Sequence, residues 1–203
     1  MPTVIAMAVE EKSPRSSRDR MVRSAALLFR EHGYSGTGFR DVIAHSGAPR
    51  GSIYHHFPGG KGQLAEEAVR HASHAMAVGM EAAGGGGSDP IAAVRGFLGG
   101  WEYTLERTDF RAGCPVVAVA VETHERPAIL AAADAAFTRW ENLLAATLRR
   151  AGVSHARAAR LATLAVAAVE GAVVLCRARH DTEPLRDVGR ELEVAIEAAL
   201  PLQ

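Results

Sequence analysis

The stretch from Thr37 to Lys61, TGFRDVIAHSGAPRGSIYHHFPGGK, constrains this chain more tightly than any other. Phe39, Val42 and Ile43 place apolar side chains at i, i+3 and i+4, one face of a short helix. Ser46-Gly47 breaks that pattern. Pro49 suits the first turn of a second helix, because its fixed φ is helical and it lacks only an N–H that would have no partner there. In this second helix Ile53 and Phe57 share a face, leaving Arg50, Ser52, Tyr54 and His55 on the others. Two short helices joined by a tight turn containing glycine make a helix-turn-helix, whose second helix is the one that enters a major groove.

Upstream, Ser16-Ser17 offers an N-cap and Asp19 falls in the first turn, where a negative charge suits the helix dipole. Val22, Ala25, Ala26 and Phe29 recur at helical spacing, and Gly33 is expected to end the helix in a left-handed conformation. Thr37 is expected to cap the helix that follows. The chain as a whole has zero formal charge, but up to Lys61 it carries nine Lys/Arg against five Asp/Glu. A basic N-terminal third on a neutral chain fits a nucleic-acid-binding module joined to something else. So small an excess could equally be chance.

With 203 residues, 48% of them hydrophobic, the chain can form one large or two small domains. Two cysteines, Cys114 and Cys176, make no disulfide framework and fit a reducing cytoplasm. No uninterrupted apolar run reaches the ~20 residues that span a bilayer, and no basic residues precede the short apolar start, so neither a membrane span nor a signal peptide is expected. Residues 1–15 read as a disordered tail. The only low-complexity piece, Gly84 to Gly87 followed by Ser88, reads as a loop between the fourth and fifth helices. Beyond it the sequence shows no β-alternation. Helices are expected at 61–83, 89–107, 115–124, 127–150, 154–180 and 184–200, an all-α chain. No nucleophile elbow, phosphate loop or metal motif is present. A metal site could be drawn from Cys176 and His180, four apart on a helix, with Cys114 and His124, and a redox switch from the two cysteines; neither has a recognisable set of spacings. No enzyme activity and no cofactor are expected.

Arg50 to Pro58, Arg-Gly-Ser-Ile-Tyr-His-His-Phe-Pro, resembles the recognition helix of the TetR family of bacterial transcriptional regulators, whose usual form is close to Lys-Gly-Ser-Leu-Tyr-His-His-Phe. Phe29 to Tyr34 followed by Thr37 resembles the family's Phe-x-x-x-Gly-Tyr-x-x-Thr. The chain departs from the pattern at Ala48-Pro49, where Val-Ser is more usual, and at Gly59 to Gly62, where a tighter Ser-Lys-Glu is. The run from Arg111 to Glu122, with its Gly-Cys-Pro turn, is similar to the LmrA/YxaF-like branch of the family. The resemblance implies an N-terminal three-helix helix-turn-helix DNA-binding domain over 16–62. It also implies a helical ligand-binding and dimerisation domain over 63–203.

Function follows from that resemblance as an expectation: a cytoplasmic repressor released from double-stranded, palindromic operator DNA by a small hydrophobic or aromatic inducer. The alternative is a helical small-molecule-binding protein or enzyme with an accessory DNA-binding module. Arg50 can reach a guanine edge as a bidentate donor, or sit on phosphate. Ser52 is a base or phosphate partner. Thr37, Arg40, Tyr54, His55 and Lys61 are expected on phosphates, where contacts set register rather than sequence. Lys61 at a helix N-terminus opposes the dipole, and a phosphate placed there would reverse that sign. Phe97, Trp101, Tyr103, Phe110, Phe137 and Trp140 gather in the second region although aromatics are only 5% of the chain. With Cys114, Glu122 and Glu170 they are candidates for an apolar inducer pocket holding a few polar groups. Any one of these rings could instead be ordinary core. Homodimerisation is expected through helices near 154–180, apolar over much of its circumference, and 184–200, with its stripe of Leu185, Val188, Leu192, Ile196 and Leu200.

Overall fold

The computed structural model describes residues 16–83 and 89–201. The expected tail over 1–15 and the glycine loop over 84–88 lie outside the described residues. Among those described there are helices and turns and no strand. In chain order the helices are α1 (Ser17–His32), α2 (Phe39–Ser46), α3 (Ser52–His56), α4 (Gly60–Ala83), α5 (Pro90–Arg107), α6 (Pro115–Glu122), α7 (Pro127–Arg150), α8 (His155–Arg179) and α9 (Glu183–Glu197).

These helices form two compact units that do not follow the boundary expected near residue 62. The first comprises residues 16–74 together with Ala112–Ala136; the second comprises Ala75–Arg111 and residues 137–201. Short helix α6 therefore folds with the N-terminal helices. It packs on α1, buries Val116 and Val119, and the Gly113 N–H just before it donates to the Arg30 carbonyl at 2.8 Å. An apolar helix announces that it will be buried, but its periodicity does not say against what.

In the first unit α1 starts at Ser16, whose hydroxyl oxygen accepts from the Asp19 amide. Met21, Ala25 and Phe29 on one face of α1, Val42 of α2, Ile53 of α3, Phe57, and Leu64, Ala68 and Val69 of α4 are all but wholly buried. Burying each of the larger ones contributes roughly 1.5–3 kcal/mol. Three local expectations are corrected here. Gly33 has positive φ (76°) but extended ψ (173°), so it is not a left-handed cap. The cap of α2 is Gly38, not Thr37: the Asp41 carboxylate accepts from the Gly38 N–H at 2.7 Å. Thr37 is 1% exposed and turns its hydroxyl back onto the Gly33 carbonyl at 2.9 Å. Regular helix in α3 begins at Ser52, three residues past Pro49, because the Pro49 carbonyl takes both the Ser52 amide (3.0 Å) and hydroxyl (2.7 Å) in a tight turn.

In the second unit Asp89 caps α5 by accepting from the amides of Ile91 and Ala92, with Pro90 in the first turn. Val94, Leu98, Trp101 and Leu105 of α5 are buried, as are Leu161, Val169, Val173 and Cys176 of α8. Helix α9 packs on α8 and α5. A Cβ at Gly189 would stand 2.7 Å from Leu98 Cδ1, so a glycine lets α9 approach α5 closely. Within the α9 stripe, Leu185, Leu192 and Ile196 are 0–4% exposed in the subunit, while Val188 and Leu200 are half-buried. The exposed apolar face lies mainly on α8 instead, at Leu164, Val174 and Leu175. By length and average composition α8 is also apolar enough to cross a bilayer, although charged residues interrupt its apolar run.

Candidate nucleic-acid interface and inner cavity

Helix α3 has five residues, too few to be stable alone. Packing holds it: Ile53 and Phe57 are buried, and the Arg18 guanidinium lies over the Phe57 ring at 5.5 Å. Arg18 is itself fixed by a 2.6 Å ion pair to Glu67 of α4. Arg20 Nε donates to the Ser46 carbonyl at the end of α2, a cation placed where the helix dipole favours it. Sequence reading assigned neither arginine a role. Cations near a DNA-binding motif are read as phosphate ligands before they are read as struts.

With the motif fixed, Arg40 of α2, Arg50 in the turn before α3, and Tyr54 and His55 of α3 are exposed. Tyr54 is 69% exposed, its ring held edge-on by Phe39 at 5.6 Å. These are donors of the kinds that reach base edges and phosphates. Ser52 is half-buried, its hydroxyl hydrogen committed to Pro49. Thr37, buried, presents no side chain to a duplex, a correction to its expected phosphate contact.

Lys61, in the first turn of α4, takes part in a cluster that the sequence did not suggest. Its ammonium lies over the Tyr34 ring at 4.2 Å, and Arg126 approaches the same ring at 5.8 Å. The Glu122 carboxylate, at the end of α6, accepts from the Ser35 amide at 2.7 Å and the Tyr34 amide at 3.3 Å. Glu122 thus ties the chain after α1 to α6. Gly33 makes room for it, since a Cβ there would stand 2.2 Å from Glu122 Oε1. Burial pushes the Glu122 carboxyl up, but the amide and hydroxyl of Ser35, the Tyr34 amide and the Lys61 charge outweigh it and leave it below the ordinary carboxylate value. Burial also lowers the Lys61 pKa, Arg126 adds to that, and Glu122 and Asp41 oppose it. No local signal in the sequence links residues 33 and 122, which lie 89 positions apart.

The second unit contains an apolar cavity lined by Met80, Val94, Phe97, Trp140, Leu144, Val169, Glu170 and Leu192. An adjoining groove of about 230 Å³ shares Met80, Phe97 and Leu144 and is edged by Glu81, Thr147 and Arg150. Of the expected pocket residues, Phe97, Trp140 and Glu170 line the cavity. Phe137 stands edge-on to Trp140 at 5.5 Å. Trp101 is buried on α5, one turn from Phe97. Tyr103 lies under Arg107. Phe110, at positive φ, packs on His180 at 5.3 Å, away from the lining residues. Cys114 and Glu122 belong to the first unit and do not line the cavity. Met80, Leu144 and Leu192 carry no chemical signature by which sequence could have picked them. Both cysteines are buried and outside any disulfide. Among the described residues no three His, Cys, Asp or Glu side chains are grouped as metal ligands, so the pairing of Cys176 with His180 gains no further ligand there.

Residues 22–68 match the model of the bacterial regulatory proteins of the tetR family. Residues 90–191 match that of the LmrA/YxaF-like transcriptional regulator C-terminal domain. An uncharacterised HTH-type transcriptional regulator of Mycobacterium tuberculosis is 45% identical over 190 residues, which cover 91% of this chain and 96% of that protein. The HTH-type transcriptional regulator LmrA of Bacillus subtilis is 36% identical over 174 residues, 83% of this chain and 90% of that one. Among solved structures, a TetR transcriptional regulator from Chloroflexus aurantiacus superposes with a TM-score of 0.74 at 30% identity, covering 92% and 97% of the two chains. Regulatory protein TetR from Rhodobacter sphaeroides has the same fold, with a TM-score of 0.78 at 24% identity over 87% and 96%. Exposed donors on a buttressed helix-turn-helix, an all-helical second unit and both family matches point one way: the chain belongs to the TetR family of bacterial transcriptional regulators, with a C-terminal domain of the LmrA/YxaF-like type, and is a DNA-binding regulator rather than an enzyme.

Proposed function

We propose that the protein is a cytoplasmic homodimeric repressor that leaves a palindromic operator when a small hydrophobic or aromatic molecule occupies the cavity of its second unit. The observation that carries this reading is the outer face of α8. Leu164, Ala167, Gly171, Val174, Leu175 and Ala178 are all exposed, and no charged residue stands among them. The strip runs about 21 Å along the helix at 1.5 Å per residue. An apolar strip of that length is unfavourable in water and complementary to a second copy of itself. The partner bundle would be completed from α9, where Val194 is 60% exposed.

Dimerisation supplies what one α3 lacks. Two recognition helices about 34–36 Å apart read successive major grooves on one face of the duplex. In this reading Arg50 selects bases, while Arg40, Tyr54, His55 and Lys61 engage phosphates, Lys61 by exchanging the Tyr34 ring for an anion. A ligand releases the operator only to the extent that it binds better to a conformation with the wrong helix spacing. Helix α4 contributes Met80 to the cavity and, at its other end, Lys61 to the cluster beside the helix-turn-helix.

The test joins three measurements: sedimentation of the purified protein at micromolar concentration, gel shift on fragments from around its own gene, and thermal-shift screening with amphipathic aromatic compounds. The reading expects a dimer, a shifted palindrome, and a saturable stabiliser that reverses the shift. A monomer that shifts no such fragment contradicts it.

A further inference from the structure

Two cations share the ring of Tyr34. The Lys61 ammonium lies 4.2 Å from its centroid and the Arg126 guanidinium carbon 5.8 Å. The ring is buried, whereas Arg126 is exposed and Lys61 half-buried. Like charges set this close repel, and Arg126 lowers the Lys61 pKa accordingly. The nearby carboxylates are engaged elsewhere. Glu122 gives its oxygens to the Tyr34 and Ser35 amides, Asp41 accepts from the Gly38 amide, and Glu125 approaches His124. Among the described residues no carboxylate forms an ion pair with Lys61 or Arg126.

The backbone fixes where Arg126 stands. Its amide donates to the Thr123 carbonyl at 2.9 Å, and its own carbonyl accepts from the Ile129 and Leu130 amides at 3.0 and 3.1 Å as α7 opens. It belongs to the same compact unit as the helix-turn-helix. A Cβ on Gly62 would lie 3.6 Å from Arg126 Nη1, so the guanidinium passes the first turn of α4 at a residue with no side chain to shield it. The start of α2 adjoins the same patch: Asp41, in its first turn, acts on the Lys61 charge, and the neighbouring Arg40 is exposed. The first helix of a helix-turn-helix crosses the DNA backbone, so cations beside its start are set against phosphates. A guanidinium's planar fork matches two phosphate oxygens at once.

We propose that Arg126, which lies outside the helix-turn-helix, binds a DNA phosphate as a second ligand independent of Lys61. This rests on the DNA-contact reading above and adds a contact from 65 positions further along the chain. Phosphate contacts carry no sequence information. Arg126 therefore adds affinity for any duplex, and that affinity falls with salt.

Fluorescence anisotropy with a mixed-sequence duplex of about 30 base pairs, which offers successive major grooves, reads the affinity of the full chain as salt is raised. Arg126→Gln is expected to weaken binding roughly five- to tenfold at low salt and to flatten the slope of log affinity against log salt by about one. Arg126→Lys keeps the charge and should keep the slope. Arg149→Gln, which removes an exposed cation of the second unit, should leave the slope unchanged. Lys61→Gln combined with Arg126→Gln should flatten it by about two. The Arg126 side chain is exposed, so each variant should keep its circular dichroism. An unmoved slope in Arg126→Gln overturns the inference and leaves the Lys61 contact standing. A double variant no flatter than Lys61→Gln also overturns it, because Arg126 would then act only by positioning Lys61. An equal change in Arg149→Gln overturns it too, by reducing Arg126 to bulk charge. Flattening in Arg126→Gln with none in Lys61→Gln upholds Arg126 and sinks the Lys61 contact instead. If the unmodified protein binds no duplex, the DNA-contact reading fails and Arg126 fails with it.

Discussion

Gly33 and Glu122 are far apart in sequence and depend on one another in space. Any side chain at position 33 meets two costs: a positive φ of 76° and a carboxylate oxygen 2.2 Å from its Cβ. Backbone strain of this kind is worth about 1–3 kcal/mol. Gly33→Ala should therefore lower stability by roughly that amount in urea unfolding. Part of the cost is steric and should vanish when the carboxylate is removed, so Gly33→Ala should be less damaging on a Glu122→Ala background. Additive losses in that double-mutant cycle would mean that the two residues are not coupled. The same scale separates Arg50 from Lys61. Arg50→Ala should lose discrimination between operator and random DNA, roughly 1–3 kcal/mol if it reads a guanine. Lys61→Ala should weaken all DNA alike and reduce the salt slope by about one. Equal loss of specific and random binding in the Arg50 variant would sink its assignment.

Helices were legible in the sequence wherever their ends carry punctuation. Asp89-Pro90, Pro115, Pro127, Gly152 to Ser154 and Pro184 mark the starts of α5 to α9 within a residue or two. Legibility failed where a partner distant in sequence decides the outcome. Thr37 looked like a cap, yet Gly38 took that place because Asp41 reached back to its amide. The α9 stripe was visible, but not that α5 and α8 of the same chain bury Leu185, Leu192 and Ile196. Among site residues, the exposed ones of α2 and α3 followed from helical spacing; Arg18, Arg20 and Glu122 did not, because each works through a contact on another helix. Between α4 and α1 one such contact has a pH consequence. Burial, reinforced by the nearby charges of Arg23 and His74 and opposed by Asp19, holds His71 of α4 below its ordinary pKa of 6.5. With the folded value below the unfolded one, the unfolded chain binds the proton first. The contribution is fully present above pH 6.5 and is lost as pH falls through the folded pKa. The thermal midpoint should drop between pH 7.5 and 5.5, and His71→Gln should make that drop smaller. An unchanged pH dependence in the variant would remove His71 from the account.

For the whole molecule, the decisive question is what covers the outer face of α8. Leu164 and Leu175 are 49% and 44% exposed and lie three turns apart on one side of the helix. Substituting surface positions ordinarily changes subunit stability by no more than about 0.5 kcal/mol. Leu164→Glu combined with Leu175→Glu should therefore leave the helical content and fold of each subunit nearly unchanged. Facing its own copy across a two-fold axis, however, each new carboxylate would be buried near like charge without a partner, and the dimer should dissociate at micromolar concentration. Losing the tether between two half-site contacts costs on the order of 10²-fold or more in DNA affinity. So the double variant should sediment as a monomer, keep its circular dichroism, and lose operator binding, although Arg50 and Tyr54 are untouched. Leu185→Glu gives the contrasting case: Leu185 is 0% exposed inside the subunit, so a charge there should unfold the chain before it affects assembly. A double α8 variant that remains dimeric and still shifts its operator would place the dimer interface elsewhere and leave the apolar strip without an occupant.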